Sequence, residues 1–233
     1  MKMKANILMT GSSGNCVVAT FSDDYSVIFD FGAGAADVCS AEIIKKSNVF
    51  ISHNHKDHDG DFDKIKDFYK KDIPSFILVK KIELKHSIEN HGYIVANLHT
   101  SEAFFYFTDY TEILGLQSYV NILEVLQKSD FKVFAMLELN HFSFLKKKLP
   151  ENMQYGLNYH SNEKTFLLEA NRIKEYFPES KIITLHASQR ADYQGHNGWN
   201  GSVCPENFAI IYFAQHNLEN TFFGKAFGFD VDY

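Results

Sequence analysis

The residues best suited to chemistry are crowded into one heptapeptide, residues 52–58, which holds three histidines and an aspartate directly after a short apolar run. On a strand, His53 and His55 would project to one side, and a turn beyond them would let Asp57 and His58 face a second ion. Imidazole and carboxylate together suit Zn, Mn or Fe, and the absence of cysteine in this stretch argues against a closed structural zinc site. A histidine-rich surface loop is the alternative, but crowding such groups without a counter-ion is costly. The spacing therefore predicts a metal centre.

The surrounding elements must bring further polar residues to this loop. Strands are predicted at residues 5–9, 16–21, 25–30, 48–52, 76–79, 82–85, 92–95, 104–109, 132–137, 181–186 and 208–213. Helices are predicted at residues 36–46, 62–70, 117–128 and from about 163 onwards. Several strands end in a chemically active side chain, namely Asp30, His86 after residue 85, Asp109 and His186. Strand ends are where α/β enzymes place their chemistry.

Length and composition limit the classes of function. The 233 residues are 45% hydrophobic and show no shift in composition, which predicts one domain spanning residues 1–233. The net charge of -6 provides no global basic field for a long polyanion, although a local cationic groove or the metals would still bind phosphate. Three irregularly spaced cysteines are typical of reduced thiols in the cytoplasm. The sequence contains no run of ~20 apolar residues, so no membrane span is predicted.

The pattern His-x-His-x-Asp-His resembles the signature of the metallo-β-lactamase-fold hydrolase superfamily. That resemblance implies an α/β protein with an αββα sandwich. The stretch from Gly11 to Cys16, which by itself favours a Gly-rich turn over a phosphate cradle, and residues 145–162 resemble the YycJ-like branch, which includes phosphodiesterases and exonucleases.

The resemblance also implies a set of metal ligands. One ion would be held by His53, His55 and His86, the other by Asp57, His58 and His186, with Asp109 bridging both and Asp30 orienting the histidine loop. His86 is preferred over His91 and His99, which are interpreted as ordinary surface histidines, because it stands at a strand end. A helix cap is the alternative for Asp109. The implied cofactor is a pair of divalent ions, zinc first, with manganese or iron as alternatives.

The bridging Asp109 points toward the phosphodiesterase and nuclease members of the superfamily. The implied reaction is hydrolysis of a phosphodiester in nucleic acid or a nucleotide by hydroxide held between the ions, with Asp57 and His160 catalytic and His160 the general acid. A histidine near a helix start is the plainer interpretation of His160. The competing activities are a cyclic-nucleotide phosphodiesterase and a thioester or lactone hydrolase, and the non-enzymatic alternative is an inactive metal-binding domain.

Three further features bear on the substrate and on assembly. Trp199 lies in a Gly/Asn-rich stretch that would cover the substrate or serve as a plain connection. The compact basic clusters, residues 80–81 and 146–148, are candidate contacts for a polymer and otherwise solvated faces. The aromatic tail from Thr221 to Tyr233 is expected to pack on the core or on a second subunit, which would make a homodimer.

Overall fold

Two mixed β-sheets form the centre of the protein, in a computed structural model that describes residues 3–187, 203–224 and 229–232, with residues 152–153 and 229–232 described by their backbone alone. The first sheet consists, in order across it, of β12 (Phe229–Asp232), β1 (Lys4–Met9), β2 (Cys16–Ser22), β3 (Tyr25–Phe29) and β4 (Ser47–Phe50). The second consists of β11 (Thr221–Phe223), β10 (Lys181–Leu185), β9 (Lys132–Glu138), β7 (Glu102–Phe107), β6 (Asn90–Asn97), β5 (Ile77–Lys85) and β8 (Glu112–Ile113).

The two sheets pack face to face through apolar and aromatic side chains. Phe29 on β3 stacks on Tyr106 of β7, with ring centroids 4.8 Å apart. Phe21 meets Phe104 edge to face at 5.0 Å. These side chains are almost fully buried because alternate residues of each strand point into the space between the sheets.

Helices cover the outer faces of both sheets. The helices of the described residues are α1 (Ala35–Val38), α2 (Ala41–Lys46), α3 (Lys56–Asp59), α4 (Leu116–Lys128), α5 (Ser143–Lys146), α6 (Glu151–Gly156), α7 (Glu163–Tyr176) and α8 (Glu206–Gln215), of which α3 lies in the histidine loop. Buried residues of α4, α7 and α8 pack on the second sheet, and Ala35 and Ile44 of α1 and α2 pack on the first. The resulting order of layers confirms the predicted αββα sandwich. Among the described residues, no helix combines the length and apolar character needed to cross a bilayer.

The prediction of a strand at residues 208–213 is wrong, because this segment belongs to helix α8. Its short aromatic and β-branched run carries no periodicity that separates a strand from a buried helix. The helical signals lie at its start, where Pro205 precedes the helix and Glu206 occupies its first turn. Ala209 and Phe213, four residues apart, are the positions buried against the core.

The prediction of an amphipathic helix at residues 62–70 is also wrong. Only a single 3-10 turn, Phe62–Lys64, forms there. The segment instead crosses the edge of the first sheet, where Lys70 N donates to Ser47 O (2.8 Å) and Asn48 Nδ2 donates to Lys70 O (2.6 Å). Hydrogen bonds to β4 therefore replace the bonds that a continuous helix would have made.

Smaller differences have local causes. The helix predicted at residues 36–46 is two helices, because the Ser40 side chain accepts a hydrogen bond from Ile43 N and starts α2. The two short strands predicted between residues 76 and 85 are one continuous strand, β5. In the tail, β11 pairs with β10 and β12 pairs with β1, and Phe223 of β11 is buried in the core, so this described part of the tail packs on the core. A homodimer stays a prediction.

Candidate metal centre

The first group of donors surrounds the end of the histidine loop. His53 Nε2 lies 2.9 Å from His55 Nδ1 and 3.5 Å from Asp109 Oδ2. His86, at the end of β5, points its Nε2 at Asp109 Oδ2 across 3.9 Å. Ligand atoms bound tetrahedrally at ~2.0–2.1 Å from zinc lie about 3.3 Å apart. The four side chains are thus spaced as the ligands of one ion would be.

The second group shares Asp109 with the first. His58 Nε2 lies 3.3 Å from Asp109 Oδ2 and 3.4 Å from Asp57 Oδ2. His186, which directly follows β10, places its Nε2 3.2 Å from Asp57 Oδ2. The same Asp109 oxygen therefore faces histidines of both groups. The structure brings all seven sequence-predicted ligands into two adjoining clusters, with Asp109 between them as expected for a bridge.

The state of His86 tests whether this cluster fits a metal. Its Nδ1 donates to Tyr159 O (3.0 Å), which leaves the lone pair on Nε2. That atom is buried and has no hydrogen-bond partner among the described residues. Leaving a buried polar atom unsatisfied costs roughly 1–3 kcal/mol, whereas a neutral imidazole nitrogen held by its opposite N–H is the form that binds metal. The donor set therefore fits divalent ions.

Asp30 orients the histidine loop from beneath. Its Oδ1 accepts from Ser52 N (2.6 Å), and its Oδ2 accepts from Tyr106 OH (2.6 Å) and the Ser52 hydroxyl (3.0 Å). His58 Nδ1 lies 2.6 Å from the same Oδ2, so the opposite ring nitrogen of His58 is turned toward Asp109. This is the supporting position that the sequence predicted for Asp30.

The Gly-rich turn between β1 and β2 supports the loop from the other side. Asn15 N and Nδ2 both donate to Asp57 O, at 2.7 Å and 3.1 Å. Gly32 N donates to Asn15 O (2.9 Å), and its Cα comes so close to the loop that an added Cβ would lie 1.9 Å from Asp57 O. The turn that begins at Gly11 thus holds the backbone of the histidine loop through the two hydrogen bonds from Asn15.

Glu138 is a site residue that the sequence did not reveal. It is fully buried at the end of β9, and its Oε1 lies 2.7 Å from His160 Nδ1. Tyr110 N and Ser161 N donate to its Oε2, both at 3.0 Å. A carboxylate at the end of a buried strand was the available signal, the same one that identified Asp109.

His160 lies beside the second group of donors rather than acting as a helix cap. Its Nδ1 is 3.7 Å from Asp109 Oδ1, and its ring stacks on His186 with centroids 5.1 Å apart. The cap of α7 is Asn162, whose side chain accepts from Lys164 N and Thr165 N. The His160 side chain is 17% exposed, so it is accessible from the outside of the cluster.

The electrostatics of the cluster show how strongly its groups depend on one another. Burial, aided by His58, lowers the pKa of His53 to about 3, which keeps that imidazole neutral. Burial also disfavours the charged form of His186, but Asp109 and hydrogen bonds to Asp57 and Glu138 outweigh it and raise the pKa to about 10. Protons on such imidazoles balance the carboxylates, and divalent ions would displace them on binding.

Three residues at the site have a left-handed backbone. Asp30 and His186 directly follow β3 and β10, and Asp109 lies just beyond the end of β7. Their φ values are 57° for Asp30, 51° for Asp109 and 53° for His186. Outside glycine this conformation is uncommon, although aspartate and histidine adopt it more readily than most residues. The turn of the backbone at each position directs the side chain toward the cluster.

The remaining histidine predictions concern residues outside the cluster. His91 lies on β6 beside Glu89, with 3.5 Å between Nε2 and Oε1. His99 is exposed and stacks on Phe76 at 4.8 Å. Neither belongs to a group of potential ligands among the described residues. Trp199, the predicted substrate contact, lies outside the described residues.

Comparisons with known proteins identify the fold. Neither known protein families nor curated protein sequences give a match. Among solved structures, the metallo-β-lactamase fold protein YhfI from Bacillus subtilis superposes with a TM-score of 0.63 at 13% identity over 100% of both chains. Human tRNase Z, short form, gives 0.61 at 14% identity over 98% of both. An isothiocyanate hydrolase from Delia radicum gut bacteria gives 0.54 at 10% identity over 98% of this chain and 99% of that one. The chain therefore has the metallo-β-lactamase fold.

Proposed function

We propose that this protein is a dinuclear metal-dependent hydrolase that cleaves phosphodiester bonds in a nucleic acid or nucleotide. The observation that carries the proposal is the position of Asp109 Oδ2 between His53 and His58, with the Glu138–His160 pair directly beside it. A shared carboxylate suits a two-ion site, and an adjoining histidine suits protonation of a leaving oxygen. Zinc is the first choice of ion, with manganese or iron as alternatives.

Two divalent ions held by these seven side chains would supply charge neutralisation for the phosphate and a lowered pKa for water. The protein's own side chains would orient the water and supply the proton. The side chain of Asp57 is 22% exposed, the most accessible carboxylate of the second group, and would orient the attacking water by accepting its hydrogen. His160 would donate a proton to the leaving oxygen, and Glu138 would hold the imidazole in the orientation required.

The fold is shared by proteins with different substrates. One of the similar structures is human tRNase Z, and another is an isothiocyanate hydrolase from Delia radicum gut bacteria. The Glu138–His160 pair supports a phosphodiester over a thioester, because an alkoxide leaving group needs a proton whereas a thiolate leaves without one. A lactone also releases an alkoxide, so direct comparison of substrates must separate it from a phosphodiester. A thioester or lactone hydrolase and a cyclic-nucleotide phosphodiesterase are the competing activities.

A substrate panel tests the proposal. The protein loaded with Zn or Mn should hydrolyse bis(p-nitrophenyl) phosphate and a labelled oligonucleotide faster than thioesters, lactones or cyclic nucleotides. His160→Ala should slow cleavage of the oligonucleotide by ~10²-fold or more while hurting the nitrophenyl ester much less, because an activated leaving group needs no acid. Rapid thioester turnover without detectable phosphodiester cleavage would overturn the assignment.

A further inference from the structure

An exposed pair of tyrosines lies beside the metal centre. Tyr155 on α6 and Tyr159 in the following 3-10 turn meet edge to face, with centroids 5.6 Å apart and their hydroxyls 2.8 Å apart. Tyr155 is 63% exposed and Tyr159 is partly exposed. Their mutual hydrogen bond fixes the two rings relative to each other, so they present a preformed aromatic surface to solvent.

This pair is attached directly to the proposed ligands. Tyr159 O accepts the hydrogen bond from His86 Nδ1, and the Tyr159 ring lies 6.2 Å from the His86 ring, edge to face. The next residue along the chain is His160. The tyrosine pair is therefore held at the rim of the site, next to both a metal ligand and the proposed general acid.

A cation is fixed next to the same turn. Lys146, at the end of α5, donates from Nζ to Asn158 Oδ1 (2.6 Å), and Asn158 lies between the two tyrosines in sequence. Within the described part of the chain, Lys146 forms no ion pair with a carboxylate, so its charge is available to a ligand. An aromatic surface with an adjacent cation is the combination that binds unstacked nucleotides.

From these contacts we propose that Tyr155 and Tyr159 form a base-stacking subsite and that Lys146 binds a phosphate next to the stacked nucleotide. The subsite rests on the proposed function, which it makes more specific. A base can reach the tyrosines only when it is unpaired, because a base within a duplex has its faces covered by its neighbours. The preferred substrate is therefore a single strand or an unpaired end.

The other basic cluster fits a phosphate less well. Lys81 lines a groove of about 560 Å³ that begins at His53. Glu89 lines the same groove, where its carboxylate would repel a phosphate. Lys81 is consequently the matched control for Lys146.

Binding can be measured without turnover. A fluorescein-labelled hexathymidylate with phosphorothioate linkages should bind the metal-loaded protein more tightly than an abasic strand of equal length and charge. Tyr155→Ala should weaken thymidylate binding about 5- to 150-fold, the usual contribution of one stacked base, with little change for the abasic strand. Tyr155→Trp should retain the preference. Phe68→Ala, which removes another aromatic side chain that is 61% exposed, should leave both affinities unchanged.

Salt dependence tests the cation. Lys146→Gln should reduce the slope of log affinity against log salt by about 0.7, as expected for one lost contact to a single strand, whereas Lys81→Gln should not. Three outcomes would overturn the subsite. Tyr155→Ala and wild type could bind thymidylate equally well, or wild type could show no preference for thymidylate over the abasic strand. The third is a salt-dependence slope that falls only when Lys81 is replaced. Tyr155-dependent binding without phosphodiester cleavage would refute the proposed function and leave the subsite standing.

Discussion

Replacing Gly32 with alanine should disable the metal centre without touching any ligand. An added Cβ would lie 1.9 Å from Asp57 O, 2.5 Å from Asp57 C and 2.8 Å from Asn15 N. These are backbone atoms, which cannot rotate out of the way, and ordinary contact begins near 3.4 Å. The loop that carries Asp57 and His58 must therefore move by about 1.5 Å, the distance by which the new contact is too short.

The size of the effect follows from that displacement. A shift of about 1 Å in a reacting group costs ~10²-fold in rate, so Gly32→Ala should lose at least that much phosphodiesterase activity. Overpacking of this kind also destabilises by about 1–3 kcal/mol, which corresponds to a fall of about 2–12 °C in Tm for a chain of this size. The displaced ligands should also lower the metal content, which elemental mass spectrometry measures. Assays of kcat on bis(p-nitrophenyl) phosphate and of Tm by circular dichroism measure the other two effects.

Gly115→Ala is the matched control. Gly115 has φ +64°, and an added Cβ there would have no neighbour within 4 Å. It should lose about 1–2 kcal/mol of stability from the left-handed backbone alone, while metal content and kcat stay at wild-type values. If Gly32→Ala keeps two ions and wild-type turnover, the close approach does not set the position of the loop and the reasoning is refuted.

The other predictions concern the ligands and their supports. Elemental analysis should approach two ions per chain, and Asp109→Ala should lose one ion and nearly all turnover while His99→Ala keeps both; a fixed value of one in wild type contradicts the bridge. Glu138→Gln should slow oligonucleotide cleavage ~10²-fold and move the alkaline limb of the pH profile to lower pH. Burial lowers the pKa of His160, but Asp109 and Glu138 outweigh burial and raise it, so the pKa will fall when the Glu138 charge is removed. An alkaline limb that does not move argues against a functional Glu138–His160 pair. Asp30→Asn should weaken metal affinity about 10- to 100-fold, as measured by competition with a chelator, and unchanged affinity would refute its orienting role.

Much of the site was predictable because its residues obey simple spatial rules. His53, His55, Asp57 and His58 are neighbours in sequence. Asp109 and His186 follow β7 and β10, which run parallel in the second sheet with β9 between them, and the packing of the two sheets brings these strand ends to the loop that follows β4 of the first sheet. The fold class followed from the same motif through a family resemblance. Central strands such as β7 and β9 were predictable because short continuous apolar runs indicate strands that are buried on both faces.

What the sequence did not predict depends on distant partners. Residues 62–70 have an amphipathic pattern, yet hydrogen bonds with Ser47 and Asn48 of β4 decide their conformation. Glu138 acquires its role only because His160, from another segment, comes within 2.7 Å of it. Helix α8 is apolar around much of its circumference, so periodicity could not reveal it.

The left-handed backbone at Asp30, Asp109 and His186 has a consequence for the life of the protein in a cell. Each such residue costs about 1 kcal/mol or more relative to glycine, and the three together consume roughly 3 kcal/mol of a typical folding margin of 5–15 kcal/mol. The proposed ions, which would bind only the folded chain, would restore that margin by mass action. With the proposed ions in short supply, a newly synthesised chain should therefore unfold and be degraded more readily, so the cellular abundance of the protein should fall when the divalent metal is depleted.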